Sequence, residues 1–408
     1  MRVLVQKFGG TSVSTADRRA QVAAKVSEAI RAGYSPVVVV SAIGRTGDPY
    51  ATDTFINLVK GISSEFPKRE LDLLMSCGEV ISGAVMTSTL KSLGFEAVLL
   101  TGGQAGIITN DSFGDARITR VEPKAILEYL QSGKVVVVTG FQGITEEGQV
   151  TTLGRGGSDT TAAALGVALN AEAIDIYTDV EGIMTADPRI VEDARILDVV
   201  SYNEICQLAH QGAKVIHPRA VEIAMQRNIP IWIKCTFSDA PGTLVSSMQP
   251  DMCAGTDITG DRIITGIAHT PNVTQIQVPT SEVPDLLQVD KQIFKGMALA
   301  DISVDFISVQ PETVLYTVQD DVAQKAVNIL QNMGFKPTAL SGCAKVSIVG
   351  GGIAGVPGVM ANMVEALSDA GVRILQSADS HTTIWVLVNK EDMVPAVQAL
   401  HKKFNLGA

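Results

Sequence analysis

The chain has 408 residues and a formal net charge of −11, with 46% hydrophobic and 18% charged residues. This length suits two or three domains, and the composition is that of a globular protein rather than a disordered one. Binding to nucleic acid phosphates needs a basic face, so the acidic balance argues against a nucleic-acid partner. No apolar run reaches the roughly 20 residues of a membrane span, so no membrane partner is expected.

The amino terminus and the cysteines indicate a compartment. MRVLVQKFGG has one basic residue ahead of a very short apolar stretch, unlike a signal peptide with its longer apolar region. The five cysteines are widely spaced and include no CxxC pair. We therefore expect neither a disulfide framework nor a zinc site, and we predict a cytoplasmic protein with reduced thiols and no metal ligands of its own.

Residues 1–245 alternate continuous apolar runs with helical patterns. Runs without polar alternation suit strands buried on both faces of a mainly parallel sheet. This strand–helix rhythm predicts an α/β sandwich. A hairpin with a Glu-Gly turn is predicted within it at 144–154. The predicted strands are 3–5, 37–40, 98–100, 135–138, 173–177 and 229–233.

The carboxyl-terminal part has a different rhythm. Residues 246–262 are polar and lack periodicity, which predicts a linker. Two βαββα units of roughly 60 residues then follow, a pattern of tandem ferredoxin-like modules. We place the first module at 263–340 and the second at 341–408. The predicted strands are 273–278, 302–307, 313–318, 344–349, 372–377 and 382–388, and the predicted helices are 287–299, 321–333, 357–370 and 391–403.

The motif KFGGTS, at residues 7–12, directly follows the first predicted strand. Gly9 and Gly10 would let a phosphate approach the backbone closely, and the amino terminus of the next helix attracts anions. Lys7 precedes the glycines, so the motif is not the GxxxxGK[ST] loop. An ordinary strand–helix turn is the alternative interpretation.

A second glycine-rich segment, TTLGRGGSDTTAAALG (151–166), leads into an Ala-rich helix. Arg155 precedes Gly156 and Gly157, and its guanidinium fork suits a carboxylate ligand. The helix that follows has an amino terminus that can bind an anion. Alternatively, Asp159 is only an acid favoured by the helix dipole.

A third segment, YTDVEGIMTADPR (177–189), follows a buried strand and carries Asp179, Asp187 and Arg189. Ligands of open α/β sheets gather beyond the carboxyl ends of the strands, so we predict ligand contacts here. A solvated loop is the alternative. Lys214, within HQGAKVIHPRA, is a candidate phosphate cation, although a lone lysine is usually only solvated.

These motifs occur in the order used by the amino-acid kinase family, and the whole chain resembles the aspartokinases within it. The resemblance implies an α/β sandwich of that type followed by two ACT modules. It implies ATP-dependent phosphorylation of the side-chain carboxylate of L-aspartate to 4-phospho-L-aspartate, the first step towards lysine or diaminopimelate, threonine and methionine. Feedback regulation through the ACT modules is implied as well.

The resemblance also implies residue roles. The catalytic residues would be Lys7, Asp159 and Lys214. The ATP site would comprise Lys7, Gly9, Gly10, Ser41, Thr178, Asp179, Asp187, Arg189 and Lys214. The aspartate site would comprise Thr52, Glu79, Arg155, Gly156, Gly157 and Ser158. In it, Glu79 would accept the ammonium group and Arg155 would clamp the α-carboxylate. Because GRTGDPYATD (44–53) is longer than in many relatives, Thr46 remains an alternative to Thr52.

The implied chemistry needs few groups. A carboxylate with a pKa of about 3.9 is already ionised at neutral pH and needs no general base. Catalysis would rest on positioning and on charge neutralisation by lysines, glycine N–H groups and Mg²⁺. We find no protein cage for Mg²⁺, so we expect it to arrive with ATP.

The carboxyl-terminal half holds a glycine-rich turn, 350–355, that satisfies GxGxxG after a predicted strand. Alone, this indicates a dinucleotide site, so a dehydrogenase is one alternative function. A small-molecule sensor with a degenerate kinase half is another. The repeat instead is similar to ACT modules, whose glycine-rich turn and following strands would face an effector, diaminopimelate or lysine. The implied effector residues are Asp379, Ser380 and His381.

The same resemblance implies an assembly. ACT modules pair between subunits, which predicts a homodimer or a higher homo-oligomer. In that family the second module commonly takes a strand from before the first, here residues 263–269. Met248 and Met252 lie where some relatives begin a separate regulatory subunit, although methionines between domains are common.

Overall fold

The computed structural model describes residues 1–63, 65–213, 215–247, 263–280 and 286–407. These residues separate into two compact units. The described residues of the first unit fall within Met1–Met184, Ile196–His210 and Lys214–Asp257, and those of the second within Thr185–Arg195, Gln211–Ala213 and Ile258–Ala408. The second unit therefore takes in two short segments, Thr185–Arg195 and Gln211–Ala213, from within residues 1–245.

The first unit alternates strands and helices. Its strands are β1 (Val3–Phe8), β2 (Ser35–Val40), β3 (Ala97–Leu100), β4 (Ile107–Thr109), β5 (Ile118–Val121), β6 (Val135–Thr139), β7 (Gln142–Ile144), β8 (Val150–Thr152), β9 (Ala173–Thr178), β10 (Val199–Ser201), β11 (Ile231–Cys235) and β12 (Thr243–Ser246). Its helices are α1 (Ala16–Arg31), α2 (Thr52–Lys60), α3 (Lys68–Ser92), α4 (Lys124–Gln131), α5 (Gly157–Ala168), α6 (Tyr202–His210) and α7 (Pro218–Met225).

An eight-stranded sheet forms the centre of this unit, in the order β10-β12-β11-β9-β1-β2-β6-β3. All neighbouring strands are parallel except β11 and β12. The valine run Val37–Val40 of β2 is fully buried near the middle of the sheet, as expected for a strand covered on both faces. The predicted α/β class is confirmed.

The predicted hairpin at 144–154 is the antiparallel pair β7 and β8. Gly148 in its turn has a φ of +78°, which favours glycine. The hairpin belongs to a separate four-stranded sheet, in the order β5-β4-β7-β8. Strands β4 and β5 have no predicted counterpart, because strands of three and four residues show too little alternation to be recognised.

Asp72 of α3 fastens the small sheet. Its carboxylate accepts hydrogen bonds from the backbone N–H groups of Gly114 (3.0 Å) and Thr152 (2.7 Å) and from the hydroxyl of Thr152 (2.7 Å). The side chain is fully buried, and burial raises the pKa of Asp72, although the three donors oppose that shift. Because β8 leads directly into the segment with Arg155, this contact fixes the start of that segment.

Helix α3 has 25 residues and is long and apolar enough to cross a membrane by length and composition. Its buried positions include Asp72, Ser76, Glu79 and Ser82. A mostly buried core helix passes the same test, so the finding is weak evidence for a membrane span. The polar side chains on its buried face instead lie in the interior of the first unit.

The second unit also alternates strands and helices. Its strands are β13 (Gly266–Pro279), β14 (Asp305–Gln310), β15 (Thr313–Gln319), β16 (Thr338–Val349), β17 (Gln376–Asp379) and β18 (Thr383–Asn389). Its helices are α8 (Leu286–Leu299), α9 (Asp320–Asn332), α10 (Val359–Asp369) and α11 (Met393–Lys403). Most of the predicted linker, 248–262, lies outside the described residues.

These strands form one antiparallel six-stranded sheet in the order β14-β15-β13-β16-β18-β17. The predicted strands 263–269 and 273–278 are replaced by the single strand β13. A register shift between Pro271 and Val273, with Asn272 at φ +61°, bends this strand without ending it. The first part of β13 pairs with the end of β16, and its second part pairs with β15, so both halves of the unit share one strand.

Replacing Asp72 with alanine should destabilise the first unit by about 2–6 kcal/mol, because two backbone donors lose their acceptor at about 1–3 kcal/mol each. Thr152→Val removes only the hydroxyl donor and should cost about 1 kcal/mol. Urea denaturation followed by circular dichroism measures both variants. Equal losses would show that the carboxylate does not hold the small sheet.

Candidate active site

Five parallel strands of the large sheet, β1, β2, β6, β9 and β11, end at the same edge. Backbone hydrogen bonds join the segments that follow them. They run from Ser41 N to Phe8 O (3.2 Å), Gly9 N to Tyr177 O (3.4 Å), Gly140 N to Val40 O (2.9 Å) and Thr236 N to Thr178 O (2.9 Å). Residues far apart in sequence thus become neighbours at this edge, which is where α/β sheets bind ligands.

Lys7, in β1, forms an ion pair with Asp159 at the amino-terminal turn of α5. Lys7 Nζ lies 2.6 Å from Asp159 Oδ1, and the two side chains are 13% and 12% exposed. A Cβ at Gly9 would lie 4.0 Å from this Nζ. The structure therefore brings two predicted catalytic residues together beside the first glycine-rich turn. The third, Lys214, lies outside the described residues.

The loop after β2 packs directly on that turn. A Cβ at Gly10 would lie 2.4 Å from the carbonyl oxygen of Ala42 and 2.6 Å from that of Gly44, so only glycine fits there. Gly44 N donates to Gly10 O at 3.0 Å. Ser41, predicted to line the nucleotide site, begins this loop.

The second glycine-rich turn precedes α5. Gly156 has a φ of +69°, and a Cβ there would lie 2.3 Å from the Cβ of His217. The backbone N–H of His217 donates to Asp159 Oδ2 at 3.4 Å. Arg155 is exposed, and no hydrogen bond or ion pair with the described residues holds its guanidinium group. This arginine is therefore available to an anionic ligand.

Gly157 and Ser158, the other predicted substrate residues of this segment, form the first turn of α5, which has no side-chain cap. Ser158 is buried, and a Cβ at Gly140 would lie 2.7 Å from its Oγ. This places the start of α5 against the end of β6, at the same edge as the Lys7 pair. An uncapped helix start leaves N–H groups for an anion.

Glu79 of α3 is only 2% exposed. Its Oε1 accepts a hydrogen bond from Ala42 N at 3.0 Å, whereas Oε2 has no hydrogen-bond partner among the described residues. Burial raises the pKa of Glu79 to about 8. A buried carboxylate oxygen without a partner is costly, so Glu79 is suited to receive a cationic donor.

The two candidate threonines differ in their partners. The hydroxyl of Thr46 is hydrogen-bonded to the carboxylate of Asp53. Thr52 begins α2, and its hydroxyl makes no hydrogen bond with the described part of the chain. The segment before α2 packs against α3 one residue before Glu79, since a Cβ at Gly78 would lie 3.3 Å from the carbonyl oxygen of Tyr50. This geometry favours Thr52.

The predicted nucleotide residues after β9 fall into two groups. Thr178 and Asp179 lie at the edge described above, and Thr178 Oγ1 donates to Asp179 Oδ1 at 3.2 Å. Asp187 and Arg189 belong to the second unit, where they form an ion pair of 2.6 Å that lowers the pKa of Asp187. The four residues were predicted as one group because they are close in sequence, but the structure places two of them in each unit.

Two residues near the site were not predicted from the sequence: Arg219 of α7 and His217, the N-cap of that helix. Arg219 donates to the carbonyl oxygens of Leu153 (3.1 Å) and Ala116 (2.8 Å), and so holds the backbone just before Arg155. Burial lowers the pKa of His217, which keeps the imidazole uncharged at neutral pH. The sequence HPR marks a helix start with proline in its first turn, but nothing in it indicates these long-range contacts.

In the second unit, Asp379 ends β17, and Ser380 and His381 form the turn to β18. Asp379 and His381 are exposed. Gly350 N donates to Thr382 O at 2.9 Å, which joins the glycine-rich turn to this one. The strand before the glycine-rich turn, β16, is antiparallel to both of its neighbours, so no parallel βαβ dinucleotide site is formed.

Glycine-rich turns, a lysine–aspartate pair and a buried carboxylate with one oxygen unpartnered among the described residues define a phosphotransferase for a small charged substrate. Comparisons with known proteins agree. Residues 2–235 match the amino acid kinase family, and residues 339–402 match an ACT domain. Aspartokinase 1 of Bacillus subtilis (strain 168) is 54% identical over 406 residues and 100% of both chains. The aspartokinase of Geobacillus stearothermophilus is 41% identical over 415 residues, covering 100% of this chain and 98% of that relative.

Solved structures extend the comparison. E. coli aspartokinase III in complex with aspartate and ADP (R-state) matches with a TM-score of 0.81 at 26% identity, covering 98% of this chain and 99% of that one. The complex of the same enzyme with lysine and aspartate (T-state) matches with a TM-score of 0.74 at 26% identity over the same shares. The chain therefore belongs to the amino acid kinase family, as an aspartokinase with a carboxyl-terminal ACT region. The predicted membership and the predicted enzyme class, an aspartate kinase, are confirmed.

Glu79→Gln should change how the stability of the unliganded protein depends on pH. The folded-state pKa of Glu79 is raised to about 8 from 4.5. The stability that comes from a protonated Glu79 is therefore complete below pH 4.5 and is lost as pH rises to about 8. The wild type should lose up to about 1.4 kcal/mol per pH unit relative to the variant within this window. Denaturation of both proteins between pH 5 and 8 measures this, and parallel curves would contradict it.

Proposed function

We propose that this aspartate kinase transfers the γ-phosphoryl group of ATP to the side-chain carboxylate of L-aspartate through Lys7, Arg155 and Glu79. The observation that carries this assignment is the Lys7–Asp159 ion pair, which lies between two glycine-rich turns at one sheet edge. E. coli aspartokinase III has been solved with aspartate and ADP, which supports both substrates. ATP and aspartate are therefore assigned to this edge.

The aspartate substrate has three charged groups, and the site offers a counterpart to each. The ammonium group would donate to Glu79 Oε2, which lacks a partner among the described residues. The α-carboxylate would receive the two parallel N–H donors of Arg155. The side-chain carboxylate would then point towards Lys7, with Thr52, Gly156, Gly157 and Ser158 along its sides. Because that carboxylate is ionised at neutral pH, no protein base is required.

Phosphoryl transfer demands positioning and charge neutralisation more than proton transfer. Lys7 would contact the transferred group, and Asp159 would hold the lysine in place. Gly9 and Gly10 would leave room for the phosphates, with Ser41, Thr178 and Asp179 around them. Lys214 remains a proposed second cation. Asp187 and Arg189, which the structure groups with the second unit, remain proposed nucleotide contacts on the resemblance alone.

Mg²⁺ is proposed as the companion of ATP. Among the residues that the structure describes, no group of three or more His, Cys, Asp or Glu side chains could hold a metal ion. A magnesium ion that binds mainly through phosphates and water fits such a site. When bound, it would neutralise part of the phosphate charge.

A hydroxylamine assay tests the reaction. Hydroxylamine converts an acyl phosphate to a hydroxamate, which gives a coloured iron complex. We expect product with ATP and aspartate, and none with ATP and glutamate or with aspartate alone. Equal product from glutamate would contradict the substrate assignment, and no product from either amino acid would contradict the kinase assignment.

Two substitutions should separate chemistry from aspartate binding. Lys7→Ala should lower kcat by about 10²–10³-fold, the loss typical when a group that stabilises the transition state is removed. Arg155→Lys should raise the KM for aspartate about tenfold, because a point charge cannot replace a bidentate fork. Steady-state kinetics with both substrates varied measures the effects. A kcat of Lys7→Ala within tenfold of wild type, or an unchanged KM in Arg155→Lys, would remove that residue from its role.

The second unit holds a segment that we call the connecting hairpin, Thr185–Arg195. Thr185 N donates to Arg195 O at 2.9 Å at its base. Its side chains Ala186 and Val191 belong to the apolar core formed with α10 and α11. Thr185 Oγ1 is hydrogen-bonded to Nε2 of the buried His401 at 2.9 Å. The hairpin is therefore part of the regulatory unit, although it interrupts the kinase sequence.

This arrangement supports a route for feedback control. The effector, diaminopimelate or lysine, would bind near Asp379, Ser380 and His381, and E. coli aspartokinase III has been solved with lysine. The connecting hairpin carries Asp187 and Arg189, which are proposed nucleotide contacts. A change in the packing of the second unit would therefore act on these two residues, and the coupling free energy between two such sites is typically about 1–3 kcal/mol.

Thr185→Val should weaken inhibition while leaving effector binding intact, because valine keeps the shape of threonine but loses the hydrogen bonds of the hydroxyl with His401 Nε2 and Arg195 N. Residues along a coupling route typically change the coupling by about 0.5–2 kcal/mol, so the inhibitory concentration should rise about 2–30-fold. Kinase assays and calorimetry with lysine and with diaminopimelate measure inhibition and binding separately.

Asp379→Ala is the matched comparison, since it should lose effector binding as well as inhibition while uninhibited turnover stays unchanged. Unaltered inhibition in Thr185→Val would exclude the hydrogen bonds of the Thr185 hydroxyl from the route. Unaltered binding in Asp379→Ala would place the effector elsewhere.

Assembly and location remain proposals. Ile307 and Val309 are about half exposed on β14, an edge strand of the six-stranded sheet, and an exposed edge favours pairing with another chain. This supports a homodimer or a higher homo-oligomer through the ACT region. Four cysteines are free thiols, and the fifth, Cys253, lies outside the described residues. Free thiols support the proposed cytoplasmic location.

A further inference from the structure

The loop after β2 carries Arg45, which is not among the proposed contacts of ATP or aspartate. The guanidinium group of Arg45 forms an ion pair with the carboxylate of Asp179, at the end of β9. The Arg45 side chain is 67% exposed and that of Asp179 is 43% exposed. An arginine thus covers a proposed nucleotide contact at the edge where the glycine-rich turns meet.

Both residues line a polar cavity of about 330 Å³ in the first unit. Its walls include Thr11, Ser14, Arg18, Arg45, Asp179 and Phe237. Thr11 belongs to the KFGGTS motif, so the cavity adjoins the first glycine-rich turn. The ion pair between Arg45 and Asp179 therefore bridges two parts of the wall of one cavity.

The backbone of Arg45 is fixed, whereas its side chain is not. Gly44 has a φ of +86°, and a Cβ there would lie 2.3 Å from Asp48 Oδ2. The same oxygen accepts a hydrogen bond from Arg45 N at 2.8 Å, and Gly44 N donates to Gly10 O. The main chain of Arg45 is therefore fixed by Asp48, next to a glycine that is bonded to the first glycine-rich turn, and only the exposed side chain of Arg45 is free to change partners.

The second arginine of the cavity is held differently. Arg18 donates to Thr11 O (3.0 Å) and Ser14 Oγ (3.2 Å), and its guanidinium lies 5.0 Å from the ring centroid of Phe237. Three contacts fix Arg18 as part of the wall. Arg45 has a single exposed ion pair, a type of interaction that contributes little in water.

A nucleotide would compete with Asp179 for the guanidinium group of Arg45. The terminal phosphates of ATP carry several negative charges, and a guanidinium group can donate to them in bidentate fashion. Because the pair with Asp179 is weak, a polyphosphate can displace the carboxylate at little cost. Movement of Arg45 would open the cavity and deliver a cation to the phosphates in one step.

We propose that Arg45 is a further nucleotide-binding residue, which covers Asp179 in the free enzyme and moves to the terminal phosphates of bound ATP. The inference rests on the proposed ATP site at this edge and adds the residue that distinguishes a polyphosphate from a monophosphate.

The test compares Arg45→Ala and Arg45→Lys with Arg2→Ala in the full-length enzyme. Arg2 is the matched control, because it forms an ion pair with Glu172 at similar exposure, 52% and 46%, and has no role in the site. Arg45→Ala should raise the KM for ATP about tenfold or more, the effect of a lost charge-assisted contact, with the KM for aspartate unchanged. Arg45→Lys should lie between the wild type and the alanine variant, and Arg2→Ala should match the wild type.

Equilibrium binding of ATP, ADP and AMP separates phosphate contact from a structural effect. Arg45→Ala should lose affinity for ATP and ADP, whereas its affinity for AMP should be unchanged or higher, since the ion pair that covers Asp179 is gone. Equal losses for all three nucleotides, or an unchanged KM for ATP, would overturn the proposal. Failure of the kinase assignment would be distinct, because the wild type would then give no hydroxamate.

Discussion

The ion pair between Lys7 and Asp159 joins the end of the first strand to the start of α5, two points that are far apart in the sequence. Both side chains are largely buried, so removing either one would leave a charge without compensation. The second oxygen of Asp159 accepts from His217 N, which adds the start of α7 to the same point. Both glycine-rich turns and two helix starts are therefore placed relative to one another by one carboxylate.

The chain carries a net charge of −11, yet its substrates are anions. Solvent screening limits the reach of the overall charge to about 8–10 Å at physiological ionic strength, so local groups decide binding. At the carboxyl edge these are Lys7, the exposed Arg155 and Arg45, together with the uncapped start of α5. Of the acids nearby, Asp159 is paired with Lys7 and holds it in position, whereas Asp179 is covered by Arg45 in the free enzyme.

The two halves of the six-stranded sheet in the second unit share one strand. Strand β13 pairs with β15 and with β16, so neither half of the six-stranded sheet is complete without it. The connecting hairpin lies within the kinase half in sequence, but its apolar side chains lie in the core of the second unit with α10 and α11. A segment of the second unit is therefore continuous in sequence with the kinase half on both sides.

The sequence by itself determined most strands of the large sheet, the glycine-rich turns and the family. Valine runs such as Val37–Val40 favour buried strands, and the paired glycines of KFGGTS and LGRGGSDTTA stand in the chain itself, so these signals are local. Tertiary structure decided the rest. The unpartnered Oε2 of Glu79, the pairing of Arg45 with Asp179 and the transfer of Asp187 and Arg189 to the second unit depend on packing between distant segments. Such contacts have no periodicity or spacing in the chain, so only the folded arrangement of the strands and helices reveals them.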